Sequence, residues 1–293
     1  MKQSTSPPSN LKKSARRGNR TRAGPISGKS STPPSSRLPT SPSLPELDLV
    51  NLSIRHVIMS RGRANRVTTH KLVPHATLVV PEDEAEAYRA AGYTQPIVTI
   101  PPALIGVSVV RNWIVRRFEE EVVLMYDDDV SACRTIAGLL NRNLSPIETE
   151  AMVENVAWSA KGAGARLFGW NQRPDPRVLQ RNDPFSVVHW CGGVVGVVGK
   201  EVRWDELLRF KCDIDCCLGE LLNNRILWHE SRFCFLQARD KNLGGNSRFR
   251  SPERIEAEKR YLKSKWKAHI VISEYQSQDS VKMRVERRQS VSL

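Results

Sequence analysis

Val122-Val123-Leu124-Met125-Tyr126-Asp127-Asp128-Asp129 is an apolar run of strand length that ends in three adjacent carboxylic acids. Nothing in its first five residues favours water, so the run reads as a strand buried on both faces. Such strands belong to parallel sheets covered by helices. Ligands of those sheets bind at the carboxyl ends of strands, and that is where this run delivers its acids. Three neighbouring carboxylates repel one another unless a cation or hydrogen-bond donors compensate. A hard divalent ion, Mg2+ or Mn2+, is the usual compensation. In an extended chain Asp127 and Asp129 point to one side and can share one ion, while Asp128 points away or binds a ribose hydroxyl. The ion would then neutralise the diphosphate oxygens of a leaving group. A solvated acidic turn after a strand is the competing reading.

Outward from this run the pattern alternates strands and helices. Ile54–Met59, Ala76–Val80 and Ile97–Ile100 read as strands. Ala64–Leu72, Glu82–Ala91 and Val107–Glu120 read as the helices between them. That order predicts an α/β fold with a mostly parallel sheet flanked by helices. The second half is more mixed. Pro146–Gly162, Glu201–Phe210, Cys216–Asn223 and Ser251–Lys265 read as helices; Arg166–Trp170, Val187–Cys191 and Trp228–Gln237 read as strands. The domain expected from this pattern covers residues 48–275, between a basic Ser/Pro-rich arm, 1–47, and a polar tail, 276–293.

Composition bounds the function. The chain has 293 residues and a formal charge of +14, of which residues 1–47 carry +8. Such an arm cannot bury enough apolar surface to order itself; it either tracks a polyanion such as nucleic acid or is a plain soluble tail. No run of about 18 apolar residues predicts a membrane helix, and no apolar segment follows the basic N-terminus as in a secretory signal. The expectation is a cytoplasmic protein. The six cysteines lack the paired spacing of zinc knuckles and read as buried thiols. Lys161-Gly-Ala-Gly-Ala-Arg166 lacks the lysine arrangement of a phosphate-binding P-loop.

Four further groups of residues carry chemistry. Ser60-Arg61-Gly62-Arg63 follows the first strand, and its two guanidiniums can grip a phosphate or a base edge; an exposed basic turn is the alternative. Arg111 and Asn112 lie early in a helix and can reach a diphosphate, or face solvent. Asp213-Ile214-Asp215 again sets two carboxylates two residues apart, suited to a base that takes a hydroxyl proton, with helix capping by Asp215 as the competing role. Gly192-Gly193 admits an acceptor close to backbone, or makes a bend.

Taken in order, the strand ending in Ser60-Arg61-Gly62-Arg63, then Val80-Pro81-Glu82 with Glu86-Ala87-Tyr88, then Arg111-Asn112-Trp113-Ile114, then the strand into Asp127-Asp128-Asp129, resemble the TET-associated glycosyltransferases. Gly192-Gly193, Asp213-Ile214-Asp215, Arg232-Phe233 and Asn242 to Asn246 are similar as well. The resemblance implies a GT-A-like fold, a nucleotide-sugar donor and an acceptor hydroxyl on a hydroxymethylated pyrimidine, such as 5-hydroxymethylcytosine, in bacteriophage DNA. It implies that Asp127 and Asp129 hold a divalent metal beside the donor diphosphate. Ser60, Arg61 and Arg63 would then lie near the nucleotide, and Asp213 and Asp215 toward the acceptor. Two features depart from the family pattern: the basic arm, and Gln237 where a metal-binding histidine is expected. Two rival classes stay open, a catalytically inactive DNA-binding module on the same fold and a metal-dependent nucleotidyl or phosphoryl transferase.

Overall fold

The computed structural model describes residues 52–137, 141–175, 183–237, 245, 249–272 and 281–285. The basic arm, most of the Asn242–Asn246 turn and residues 276–280 and 286–293 of the expected tail lie outside them.

Strands β1 (Ile54–Met59), β2 (Thr77–Pro81) and β3 (Ile97–Ile100) pair in parallel, and β1 also pairs in parallel with β4 (Val122–Asp127). Helix α1 (Ala85–Ala90) joins β2 to β3, and α2 (Val107–Arg117) joins β3 to β4. Beyond β4 the direction changes. Strand β8 (Val195–Val198) lies antiparallel between β4 and β6 (Leu167–Asn171). Strand β9 (Trp228–Gln237) runs parallel to β6, and β5 (Val130–Thr135) and β7 (Phe185–Ser186) lie antiparallel on β9. The described residues thus form a nine-stranded sheet in which β1, β2, β3, β4, β6 and β9 share one direction. This is the mixed, mostly parallel, helix-flanked architecture expected of a GT-A-like domain.

Period-two alternation sorts the sheet's residues into two cores. Val122, Leu124 and Tyr126 face one layer, with α3 (Pro146–Gly162) supplying Met152, Val156 and Ala160. Val123 and Met125 face the other, with Ile114 of α2, Leu218 of α4 (Cys212–Asn223) and Leu262 of α5 (Pro252–Trp266). All six cysteines are free and buried.

Several expected elements are corrected. The helix expected over 64–72 is a short 3-10 turn, Thr69–Lys71. Thr69 spends its hydroxyl on the backbone of Asp127 and Val130 rather than on a helix. The expected strand 187–191 is not formed, because Ser186 Oγ accepts the amides of Val188 and His189 and turns the chain. The expected helix 201–210 is irregular: Val202 and Trp204 are buried at period two, and the amide of Trp204 donates to the side chain of Asn112. Helix α4 begins at Cys212, four residues earlier than its apolar pattern suggests. Part of the expected tail is ordered, since β11 (Val281–Met283) pairs antiparallel with β10 (Ile270–Ile272).

Candidate active site

All six co-directed strands end at one cavity of about 480 Å3. Its wall includes Met59 and Ser60 after β1, Val79 of β2, Ile100 of β3, Asp127 of β4, Gln172 after β6 and Gln237 of β9. Asp128, Asp129, Arg61, Arg63, Arg111, Gly193 and Asp213 join them. The switch of direction at β8 brings Gly193, at the start of that strand, to the same rim. This is the crevice where an open α/β sheet binds ligands.

The three aspartates are handled differently. Thr69, fully buried, pins their turn: its hydroxyl donates to Asp127 O at 2.7 Å and accepts from Val130 N at 3.0 Å. Asp128 is buried, accepts from Ser60 Oγ at 2.6 Å and is paired with Arg63 Nη1 at 2.6 Å. Tyr88 in turn holds Ser60 through its hydroxyl at 2.7 Å. Burial raises the Asp128 carboxyl, and Ser60 and Arg63 oppose that rise. The Asp127 carboxylate accepts from Gln237 Nε2 at 3.1 Å. Burial, with Asp129, Asp213 and Asp128 close by, pushes it up to about 7 against the pull of Arg111.

Arg111 is the cation at the centre. Only 1% exposed, it forms an ion pair with Asp213 and donates to Gly193 O at 3.2 Å. Burial lowers its proton affinity, but Asp213 and Asp127 more than offset this and hold it charged. Its Nε has no hydrogen-bond partner among the described residues. Arg63 and Arg111 therefore satisfy Asp128 and Asp213. Asp127 and Asp129 make no ion pair among the described residues. Two carboxylates two residues apart, without an ion pair among the described residues and one with its proton affinity raised by burial and like charge, are donors a divalent cation fits. Among the described residues no group of three or more His, Cys, Asp or Glu is arranged to hold a metal ion together.

The remaining expected site residues divide. Arg61 lies at the rim and donates to the carbonyls of Pro102 and Leu104, at 3.2 and 3.0 Å. Asn112 is removed from the site: its side chain is spent on Trp204 and Glu206. A helix turns about 100° per residue, so Arg111 and Asn112 cannot both face the cavity. The same geometry separates Asp213 from Asp215. An extended chain would place them on one side, but both lie in the first turn of α4, nearly opposite each other. Asp215 faces α5, where Lys265 Nζ and Trp266 Nε1 hold it at 2.8 and 2.7 Å. Gly193 adopts φ +70°, and a Cβ there would stand 2.9 Å from Gln237 Oε1. A Cβ on Gly192 would press on Trp190, Gln172 and Asp213, so this glycine keeps the acid in place.

The motifs did not single out Thr69 or Gln172, and they held Tyr88 only as part of the family pattern, with no role assigned. Thr69 and Tyr88 act on backbone or through a neighbour, which no local pattern announces. Gln172 follows β6 at its carboxyl end, a position that could have marked it.

A sheet whose strand ends gather four acids and a buried arginine around one crevice has the layout of a ligand-binding α/β protein. The family model for TET-associated glycosyltransferases matches residues 54–239, and the chain belongs to that family. It is a nucleotide-sugar-dependent glycosyltransferase. No curated protein matches it. Among solved structures it is similar to glucosyl-3-phosphoglycerate synthase from Mycobacterium tuberculosis, in complex with Mn2+, UDP-glucose and phosphoglyceric acid (12% identity, 76% of this chain, 84% of that one, TM-score 0.44). It is also similar to Staphylococcus aureus TarS 1-349 (11%, 63% and 60%, 0.43). A third is a mannosyltransferase from Pyrobaculum calidifontis in complex with GDP-mannose and Mn2+ (10%, 65% and 58%, 0.44). No helix among the described residues is long and apolar enough to cross a membrane.

Proposed function

We propose that the enzyme moves a sugar from its nucleotide-sugar donor to the hydroxyl of a hydroxymethylated pyrimidine in DNA, 5-hydroxymethylcytosine by preference, with Mn2+ or Mg2+ held by Asp127 and Asp129. The observation that carries the metal is the pairing pattern. Of the four acids in the cavity, the two lacking an ion pair among the described residues are the two the sequence pattern assigns to the metal. The ion would neutralise charge on the leaving diphosphate.

The chain's own residues do the rest. Ser60, Arg61 and Arg63 bind the nucleotide, and Asp128 fixes Arg63 there. Asp213, with Trp190 beside Gly192, faces the acceptor. The acceptor oxygen attacks the anomeric carbon, the bond from that carbon to the diphosphate breaks, and the hydroxyl proton passes to Asp213. Arg111 orients Asp213 and adds positive charge near the departing phosphate. The DNA acceptor is supported by the family's association with oxygenases of 5-methylcytosine and by the formal charge of +14, of which +8 lies in residues 1–47. Work on DNA also fits a cytoplasmic setting in a phage-infected cell.

The test is incubation with a panel of nucleotide sugars and hydroxymethylated DNA, with and without Mn2+, followed by mass spectrometry of the nucleosides. The expected product carries one added sugar. An added nucleotide would assign a nucleotidyl transferase. DNA binding without donor cleavage would assign an inactive module.

A further inference from the structure

The wall that carries Asp213 has no regular structure before α4, yet its backbone is fixed. Three consecutive amides, those of Arg209, Phe210 and Lys211, donate to one carboxylate, Glu258 of α5, at 3.0, 2.9 and 3.2 Å. Lys211 is the N-cap of α4 and its side chain caps nothing. The first amides of a helix and its lead-in need an acceptor; here the acceptor comes from another helix. The Glu258 side chain is only 3% exposed. Its charge is met by Arg254 Nε at 3.2 Å and by the positive end of α4.

Glu258 does not act alone. Arg254, Glu258, Tyr261 and Lys265 are spaced four, three and four residues apart, which aligns them on one helical face. Each grips the segment 205–215. Arg254 donates to Leu207 O at 3.0 Å, Tyr261 to Asp205 at 2.6 Å, and Lys265 to Asp205 and Asp215 at 2.7 and 2.8 Å. Within that segment Arg209, Phe210, Lys211 and Asp213 line the cavity. Helix α5 lies wholly beyond the residues the family model matches.

We infer that Glu258 is a positioning residue of the transferase: it sets the 209–211 wall and, through the start of α4, the place of Asp213. Its kinetic consequence rests on the reading of this cavity as the transfer site; its structural consequence does not.

The test compares Glu258→Gln with Leu262→Ala in the full chain. The amide of glutamine turns a donor toward at least one of the three backbone donors. Leu262 is fully buried on the same helix and is not bonded to the wall. Peptide-resolved hydrogen exchange should show the 205–215 segment of Glu258→Gln exchanging about tenfold faster, with β4 unchanged. The kcat for transfer should fall about tenfold, with the donor KM held. Leu262→Ala should lower the Tm more and keep the wild-type kcat in the folded fraction. Unchanged exchange at 205–215 overturns the inference whatever the wild type transfers. Faster exchange with an unchanged kcat, or equal kcat losses in both variants, overturns it too. A wild-type chain that transfers no sugar sinks the functional reading instead, and the exchange then decides the structural part alone.

Discussion

At the scale of single residues, the site is an exercise in charge pairing. Arg63 and Arg111 each take one acid, and two acids remain. Asp129→Asn removes half of the remaining pair without touching the core. We expect transfer to fall about a hundredfold or more while the Tm stays at the wild-type value, read by product mass and thermal unfolding. A variant with wild-type turnover would end the metal reading. Asp213 and Asp215 separate by the same logic. Asp213→Asn should abolish transfer and also cost about 3 kcal/mol or more in urea unfolding, because buried Arg111 loses the charge that faces it. Asp215→Asn should cost about 1–3 kcal/mol in urea unfolding, because Lys265 and Trp266 lose a charged acceptor, and should leave kcat intact. The sequence offered these two acids as equals. Only the start of α4 at Cys212 tells them apart, and no apolar periodicity marks that start.

At the scale of elements, legibility followed burial. Strands β1, β3 and β9 and helix α3 were readable to the residue, because each is a clean apolar or amphipathic run with a break at its end. Ser145 before Pro146 and Glu148 after it announce α3 as a capping box, and both halves of that box are formed. Strand β5 was not readable, since Val130-Ser-Ala-Cys-Arg-Thr135 follows an acidic turn and pairs with a strand about 100 residues later. The 201–210 segment, expected as a helix, is irregular because Val202 and Trp204 are buried at period two and the Trp204 amide is tied to Asn112, 92 residues earlier, which no local pattern announces. Strand β8, which runs antiparallel between β4 and β6, shows how tightly the sheet is built. Gly196 faces the fully buried ring of Phe168 across the β6–β8 pair, and a Cβ would collide with that ring. Gly196→Ala should therefore destabilise the fold by about 1–3 kcal/mol, measured as a lower urea midpoint with an unchanged m value.

At the scale of the whole molecule, the GT-A-like layering was legible and the substrate was not. The acids at the strand ends speak of phosphate and cation; the sugar comes from kinship, and the DNA acceptor is our proposal. Global stability also carries a pH signature. His56 of β1 is buried between the sheet and α3, hydrogen-bonded to Tyr126 at 3.0 Å, and burial, helped by His75 and Arg55, lowers its pKa to about 3. The folded state thus favours the neutral ring. Its contribution is present above the unfolded pKa of about 6.5 and is lost as pH falls from there toward 3. Between pH 7 and pH 5 this one group should remove about 2 kcal/mol. His56→Gln should flatten the pH dependence of the urea midpoint by that amount; an unchanged slope would show that the ring accepts a proton inside the fold.

The pairing of β10 with β11 and the packing of α5 bear on where this enzyme can be cut. Leu262, Ile270 and Val281 belong to the same core layer as Val123 and Met125 of the aspartate strand, and all three lie past residue 239, where kinship with the family model ends. The edge of recognisable ancestry is therefore not the edge of the folding unit. A fragment trimmed to 54–239 would keep every acid of the site and still bare the flank that α5 and β10 cover, and its fate in solution is to clump rather than to catalyse.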